Sequence, residues 1–335
     1  MKKFLFITII ALVALFGMSA DLYAATAKID STDYATLSEA ITAAGNTETT
    51  ITLIDDEAPV ERIKIPTGAN ITLDLNGKTL TLPSPEDNYG LVVAGNLTIT
   101  GEGTINAGMY GIGVTGNLVI EGGTYNCEAG DYLIGSWGTV TIKDGTFNGN
   151  YCIANGFNGG TVEILDGEFT TNEETIVLGG TVVKGGTFSH DVDEYVDTTL
   201  DAVKDEKTGK YYVGTLNKVN VKETENGKVE VSLTEAIVEQ VVEVKATANE
   251  GYKVKAIIVK DASGKEVEVV DGTFLMPDSE VTVEVTFEKV EAVKGELDDT
   301  PATGTMDKIL VVSAIVAGAA VIAIAKKKQA MKNLI

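Results

Sequence analysis

The chain has 335 residues with 49 acidic and 26 basic side chains, and its formal net charge is -23. So acidic a chain excludes nucleic acid as a partner, because phosphate binding requires a basic face. A single histidine argues against a histidine-ligated metal centre or a Ser-His-Asp triad, and two cysteines exclude a disulfide scaffold. The 36 glycines and the length indicate a β-rich chain of two or three domains.

The N-terminus has the pattern of an export signal. Met1 is followed by Lys2 and Lys3, an apolar run over residues 4–18 and small residues up to Ala27. This order predicts a secretory signal peptide over residues 1–27, with the mature chain starting at Thr26 or Lys28. An uncleaved membrane anchor is the alternative.

The C-terminus carries a three-part pattern. An apolar stretch over residues 309–325 is followed by three lysines at 326–328. A pentapeptide precedes the stretch and consists of Thr300, Pro301, Ala302, Thr303 and Gly304. The order resembles the cell-wall sorting signal of Gram-positive surface proteins, with Thr300 where the family usually has leucine. The resemblance implies that a sortase thiolate cleaves the Thr303–Gly304 bond and that a peptidoglycan amine takes the acyl group. A single-pass membrane anchor is the alternative.

The middle of the chain is a repeat. A Gly-polar-apolar segment recurs at Gly95, Gly116, Gly138 and Gly160, with spacings of 21 to 22 residues. Each segment is followed by a second short apolar strand and then by a third. Three short strands per unit predict a parallel β-helix in which like residues stack coil upon coil. A β-sandwich of regular hairpins is the alternative.

The repeat predicts three interior ladders. The first contains Ile99, Ile120, Ile142 and Ile164, while Thr98, Thr141 and Glu163 alternate with it and face solvent. The second contains Ile105, Tyr125, Phe147, Phe169 and Phe188. The third contains Ile112, Ile134, Ile153 and Val177.

The segments on either side of the repeat resemble a known fold family. A short amphipathic helix starting near Thr36, followed by the Leu-Asn-Gly-Lys-Thr-Leu segment that ends at Leu80, resembles the N-terminal cap of pectate-lyase-like right-handed β-helices. Residues 188–213 resemble the exit of the same family. The expected fold class is therefore all-β, a right-handed parallel β-helix with an N-terminal helical cap.

A second module follows, with polar and apolar residues alternating over residues 216–289. Two segments, 251–254 and 273–283, together with Phe287 just beyond the second, resemble the divergent internalin-type B repeat. The sequence predicts a turn at Met276 and Pro277, with the methionine side chain buried. The resemblance implies a small all-β stalk or interaction module.

Together these patterns predict six segments. They are a signal peptide (1–27), an N-terminal cap (28–66), the β-helix with its exit (67–213), the B-repeat-like module (214–290), a spacer with the sorting motif (291–304), and a membrane span with a basic tail (305–335).

Aromatic residues are the candidate binding groups. Trp137 and Phe157 are expected on loops, where recognition usually occurs. A further series of tyrosines aligns between coils and contains Tyr110, Tyr132 and Tyr151. Each lies two residues before an interior isoleucine, so core packing is expected, with sugar stacking as the alternative.

Other polar residues have simpler interpretations. Asp144 and Asp166 each precede a glycine at the same corner, which favours turn chemistry over a calcium site. Cys127 and Cys152 are expected to be buried free thiols, with a disulfide as the alternative. His190 is expected to be a loop residue with no serine or cysteine partner.

These expectations favour a wall-anchored surface protein, exported and displayed outside the cell. We expect a non-catalytic adhesin or glycan-binding module without cofactor or metal. Its partners would be sortase, peptidoglycan and an external glycan or protein, and it would contact the membrane only through the span before sorting. The resemblance to β-helical lyases and hydrolases implies either a calcium-binding acidic cluster with an arginine or lysine base, or a Gly-His-Gly motif. The sequence has no Gly-His-Gly motif, and its only arginine, Arg62, lies in the cap and not on a coil face. A polysaccharide lyase or glycoside hydrolase is the alternative, and a structural stalk or coat protein is a second.

Overall fold

Residues 24–84, 88–127, 132–155, 159–177 and 180–291 are described by a computed structural model of the chain. Their first part is a parallel β-solenoid of about six turns, and a β-repeat region follows. Each complete coil contributes one strand to each of three sheets.

The first part contains one α-helix, α1 (Leu37–Ala44), a 3-10 turn (Asp193–Tyr195) and 23 strands. The strands are β1 (Ala27–Ile29), β2 (Thr32–Tyr34), β3 (Thr49–Leu53), β4 (Ile63–Ile65), β5 (Asn70–Asp74), β6 (Lys78–Thr81), β7 (Leu91–Val93), β8 (Asn96–Thr100), β9 (Gly103–Asn106), β10 (Tyr110–Val114), β11 (Asn117–Ile120), β12 (Thr124–Cys127), β13 (Tyr132–Ser136), β14 (Thr139–Ile142), β15 (Thr146–Gly149), β16 (Ile153–Asn155), β17 (Thr161–Ile164), β18 (Glu168–Thr171), β19 (Ile176–Val177), β20 (Thr181–Val183), β21 (Gly186–Phe188), β22 (Asp201–Lys204) and β23 (Tyr211–Gly214).

Three sheets form the sides of the solenoid. Sheet A has the order β2-β1-β3-β5-β8-β11-β14-β17-β20, sheet B the order β22-β23-β21-β18-β15-β12-β9-β6, and sheet C the order β19-β16-β13-β10-β7-β4. Strands of successive coils pair in parallel, whereas β1–β2, β1–β3, β21–β23 and β22–β23 are antiparallel. The parallel β-helix is therefore confirmed, and the sandwich alternative is wrong.

The interior ladders of sheets A and B are confirmed by the register. In sheet A, Ile99 pairs with Ile120, Ile120 with Ile142 and Ile142 with Ile164, and all four are fully buried. The residues that alternate with them are half-exposed, as expected. In sheet B, the rings of residues 125, 147, 169 and 188 stack with centroid separations of 4.6 to 4.9 Å.

The third ladder is correct up to Ile153, but its last member is wrong. Ile153 pairs with Ile176, and Val177 pairs with Ala154. The segment between the second and third strands differs in length from coil to coil, so spacing alone does not fix this register.

The N-terminal end of the stack is closed by α1, which begins after Thr36 as predicted. Thr36 accepts a hydrogen bond from Glu39 N, and the helix buries Leu37 against the core. The carboxylate of Glu57 accepts a hydrogen bond from Leu37 N at 2.9 Å and one from Thr26 Oγ1 at 2.5 Å. Strands β3 and β4, within residues 28–66, already pair in parallel with the solenoid.

The second part is all-β, as the alternation predicted, and it contains eight strands. They are β24 (Asn217–Val221), β25 (Gly227–Val231), β26 (Glu235–Ala236), β27 (Val241–Ala248), β28 (Tyr252–Asp261), β29 (Glu266–Val267), β30 (Thr273–Leu275) and β31 (Val281–Lys289). They form a five-stranded sheet, β26-β24-β31-β28-β29, and a three-stranded sheet, β25-β27-β30. Phe274 and Met276 are buried in their shared core, which confirms the buried methionine.

Within the described residues, no helix is long and apolar enough to span a bilayer. The span expected at residues 309–325 and the signal peptide up to residue 23 lie outside them.

Candidate functional site

Five aromatic side chains form a continuous row on the outside of the solenoid beside sheet C. We call this set the aromatic row, and it consists of Trp137, Tyr89, Tyr110, Tyr132 and Tyr151. Ring centroids of adjacent members are 5.5 to 6.4 Å apart. The three tyrosines at 110, 132 and 151 come from successive coils, so the row runs along the solenoid axis.

The tyrosines of this row are half-buried and do not belong to the core, so the expectation of core packing is wrong. The physical reason lies at the start of each strand of sheet C. Leu133 and Ile134 are consecutive and both fully buried, and so are Cys152 and Ile153. Two buried neighbours break the period-two alternation, so Tyr132 does not share the side of Ile134.

Tyr89 lies over a pair of outward-facing glycines that we call the glycine floor, Gly113 and Gly135. These two residues pair with each other between buried neighbours on sheet C. A Cβ at Gly113 would come within 2.7 Å of Tyr89 Cδ2, and a Cβ at Gly135 would overlap Tyr89 Oη and Cζ. Only residues without a side chain let this ring rest on the sheet.

The environment of Tyr89 keeps its phenol protonated. Burial, followed by the nearby Tyr110 and Tyr132, raises the pKa of Tyr89 to about 12. Below that pH the hydroxyl above the glycine floor is neutral and able to donate and accept hydrogen bonds. The site therefore offers neutral aromatic faces and a neutral polar group.

Trp137 is 39% exposed and makes an edge contact with Tyr89 at an interplanar angle of 82°. Its exposure on a loop between β13 and β14 is confirmed. The other candidates fall elsewhere: Phe157, together with Thr300, Pro301, Ala302, Thr303 and Gly304, lies outside the described residues.

The remaining polar candidates have structural roles. The carboxylates of Asp144 and Asp166 accept hydrogen bonds from Gly145 N and Gly167 N, both at 2.8 Å, as expected for turn residues. Among the described residues, no group of three or more metal-binding side chains comes together.

The expectation that His190 has no serine partner is wrong. Ser189 Oγ lies 3.1 Å from His190 Nδ1, and Thr171 Oγ1 lies 3.1 Å from the same nitrogen. Ser189 Oγ also accepts a hydrogen bond from Thr171 N at 2.8 Å. The adjacent hydroxyls hold the histidine at the end of the solenoid, where these contacts tie β18 to the segment after β21.

Cys127 and Cys152 are both buried and are not joined in a disulfide, which confirms the thiol interpretation. Burial raises the pKa of the Cys152 thiol, and the nearby Cys127 raises it further. A raised pKa leaves almost no thiolate at neutral pH, and only the thiolate is nucleophilic.

We therefore expect Ellman's reagent to detect no thiol in the native protein at neutral pH and two thiols in denaturant. A prior reduction step serves as the control and should leave both counts unchanged. Fewer than two thiols in denaturant without reduction would contradict the free-thiol state.

The sequence interpretation missed Tyr89 and the glycine floor. Tyr89 stands two residues before Leu91, which pairs with Ile112, so it has the same place in its coil as Tyr110. Extending the third ladder backwards by one coil would have found it. Nothing in the sequence indicates that Gly113 and Gly135 lie under a ring from an earlier coil.

Comparison with known families identifies one part of the chain. Residues 217–291 match the family model of the divergent InlB B-repeat domain. This agrees with the resemblance of the second module. The whole chain has no significant match among curated proteins or among solved structures.

Proposed function

We propose that this protein is a non-catalytic surface adhesin that binds a glycan on the aromatic row. The observation that carries the proposal is the continuous run of five rings. Tyr110, Tyr132 and Tyr151 follow the solenoid axis, and Tyr89 and Trp137 extend the run across the outer face of sheet C. Sugar rings present apolar C–H faces that stack on the faces of tyrosine and tryptophan, while the polar tips of these side chains remain able to hydrogen-bond. The stacked coils supply a rigid support, so little conformational entropy is lost on binding.

The direction of the row favours an extended polymer over a single sugar. Neighbouring tyrosines of the row have ring centroids 5.5 to 6.4 Å apart, so a linear polymer can contact several rings in turn. We propose that the coils wind right-handedly, as parallel crossovers in sheets do. The B-repeat module would act as a spacer between this site and the cell surface.

A glycan array tests the binding proposal, and analysis of the products tests the enzymatic alternative. We expect selective binding without release of shortened sugars. Trp137→Ala or Tyr132→Ala should weaken binding about 30-fold, the loss of a typical interface hot spot of about 2 kcal/mol. Tyr252→Ala, in the second module, is the matched control and should bind as the wild type does. Absence of selective binding would contradict the proposal, and release of shortened sugars would favour an enzyme.

We also propose that the protein is exported and then linked to the cell wall. Of the two expected starts of the mature chain, Thr26 is favoured over Lys28. Thr26 N donates to Tyr34 O at 3.1 Å, Thr26 Oγ1 donates to Glu57, and Ala27 is fully buried. Cleavage before Lys28 would remove all of these contacts from the closed end of the stack.

The sorting motif supports covalent anchoring by a sortase. The enzyme's thiolate would attack the Thr303 carbonyl carbon, the Gly304 amine would leave, and a peptidoglycan amine would then displace the thiolate. Thr303→Ala is expected to abolish the linkage, so the protein would be extracted from walls by detergent alone. Thr305→Ala, just beyond the scissile bond, is the matched control. Unchanged linkage of the Thr303→Ala protein would contradict sortase anchoring.

A further inference from the structure

In the coils just beyond the two ends of the tyrosine series, a glutamate occupies the position that a tyrosine occupies within it. Tyr151 lies two residues before Ile153, and Ile153 pairs with Ile176 of the next coil. Glu174 lies two residues before Ile176 and therefore occupies the same place one coil further along. At the other end, Glu61 lies two residues before Ile63. Ile63 pairs with Leu91, which lies two residues after Tyr89, so Glu61 and Tyr89 occupy the same place in successive coils.

The two ends of the row differ in charge. Glu61 is exposed, but the exposed Lys64 lies on the same coil and pairs with Val92 on the outer face of sheet C. Glu174 is exposed, and the residue before it, Glu173, is exposed as well. By register Tyr151 is one coil away from Glu174, about 4.8 Å along the axis. Glu174 also lies close enough to Tyr195 to contribute, after burial and Glu194, to the raised pKa of that tyrosine. The end of the row beyond Tyr151 is therefore anionic.

A ligand that follows the row meets aromatic rings first and a carboxylate next. Aromatic faces and carboxylates share one preference, because both attract cations. The net charge of -23 adds a general repulsion of polyanions at low ionic strength. Uronic acid polymers are thus the wrong ligand class for this surface, and a sugar that carries an ammonium group fits it.

We propose that the aromatic row binds an unbranched amino-sugar glycan lying along the solenoid axis, with a free ammonium group beside Glu174. This inference rests on the proposed glycan-binding function and narrows it to one chemical class. Stacking supplies the neutral part of the affinity, and Glu174 supplies a preference for the deacetylated sugar.

Calorimetry with chitosan oligomers and chitin oligomers of matched length tests this inference, because the two differ only in the acetylation of the amine. At low ionic strength we expect the wild type to prefer chitosan. Glu174→Gln should reduce that preference about two- to fivefold, the size of one exposed ion pair. Glu48→Gln removes the same charge from an exposed position beside sheet A and should leave the preference unchanged. High salt should weaken the preference in the wild type and much less in Glu174→Gln.

The outcomes separate the two proposals. Equal binding of both oligomers by the wild type, or an unchanged preference in Glu174→Gln, would overturn the amino-sugar assignment and leave glycan binding in place. Binding of matched oligogalacturonates as tight as that of chitosan would also overturn it. If no glycan of any class binds, the proposed function itself fails.

Discussion

Phe147→Ala is expected to destabilise the solenoid by about 3–5 kcal/mol, the usual cost of removing a fully buried phenylalanine. Phe147 is completely buried in sheet B, and its ring stacks on Tyr125 at 4.9 Å and on Phe169 at 4.6 Å. The substitution removes both stacks and leaves a cavity in the middle of the ladder. The neighbouring coils cannot close this cavity easily, because their strands are held at a fixed repeat by the parallel pairing.

Urea unfolding followed by tyrosine and tryptophan fluorescence measures this effect as a lower midpoint. Val60→Ala is the control, since Val60 is 95% exposed and its truncation should change the stability by about 0.5 kcal/mol or less. The strands of each coil pair only with those of neighbouring coils, so the loss should divide the unfolding of the solenoid into separate steps around Phe147. An unfolding curve that matches the wild type in midpoint and slope would contradict the stacked-ladder description of the core.

The fold was largely predictable because the sequence repeats the same apolar residue type at the same place in each coil. Ile120, Ile142 and Ile164 follow a glycine at a constant distance, so their alignment needs no knowledge of loop lengths. The third strand of each coil lacks this reference point. The sequence analysis assigns Val177 instead of Ile176 to the third ladder, because both residues are β-branched and either one continues the pattern.

The candidate site was predictable only in part. Three tyrosines were identifiable from the repeat and Trp137 from its place on a loop, but the side of the sheet on which the tyrosines lie was not. That side depends on the paired burial of Leu133 and Ile134, which a simple alternation rule does not allow. The position of Tyr89 over the glycine floor depends on a contact between residues of different coils, and composition carries no signal for it.

A substitution that adds one methyl group to the glycine floor is the most direct test of this site. Gly135→Ala would place a Cβ where Tyr89 Oη and Cζ now lie. The obstruction meets the far end of a side chain, so the ring can swing off the sheet at a cost of about 1–3 kcal/mol in stability. Moving the ring breaks its contacts with Trp137 and Tyr110, which join the two sides of the aromatic row.

We expect Gly135→Ala to weaken glycan binding at least about tenfold, or about 1.4 kcal/mol, while the protein remains folded. Gly122→Ala is the matched control, because the nearest heavy atom to its added Cβ is 3.9 Å away. Tyr89→Ala should weaken binding to a similar degree, and adding Gly135→Ala to it should have no further effect, since the methyl group then meets no ring. Additive losses in the double variant would show that Gly135 acts independently of Tyr89, and wild-type affinity in Gly135→Ala would remove Tyr89 from the binding surface.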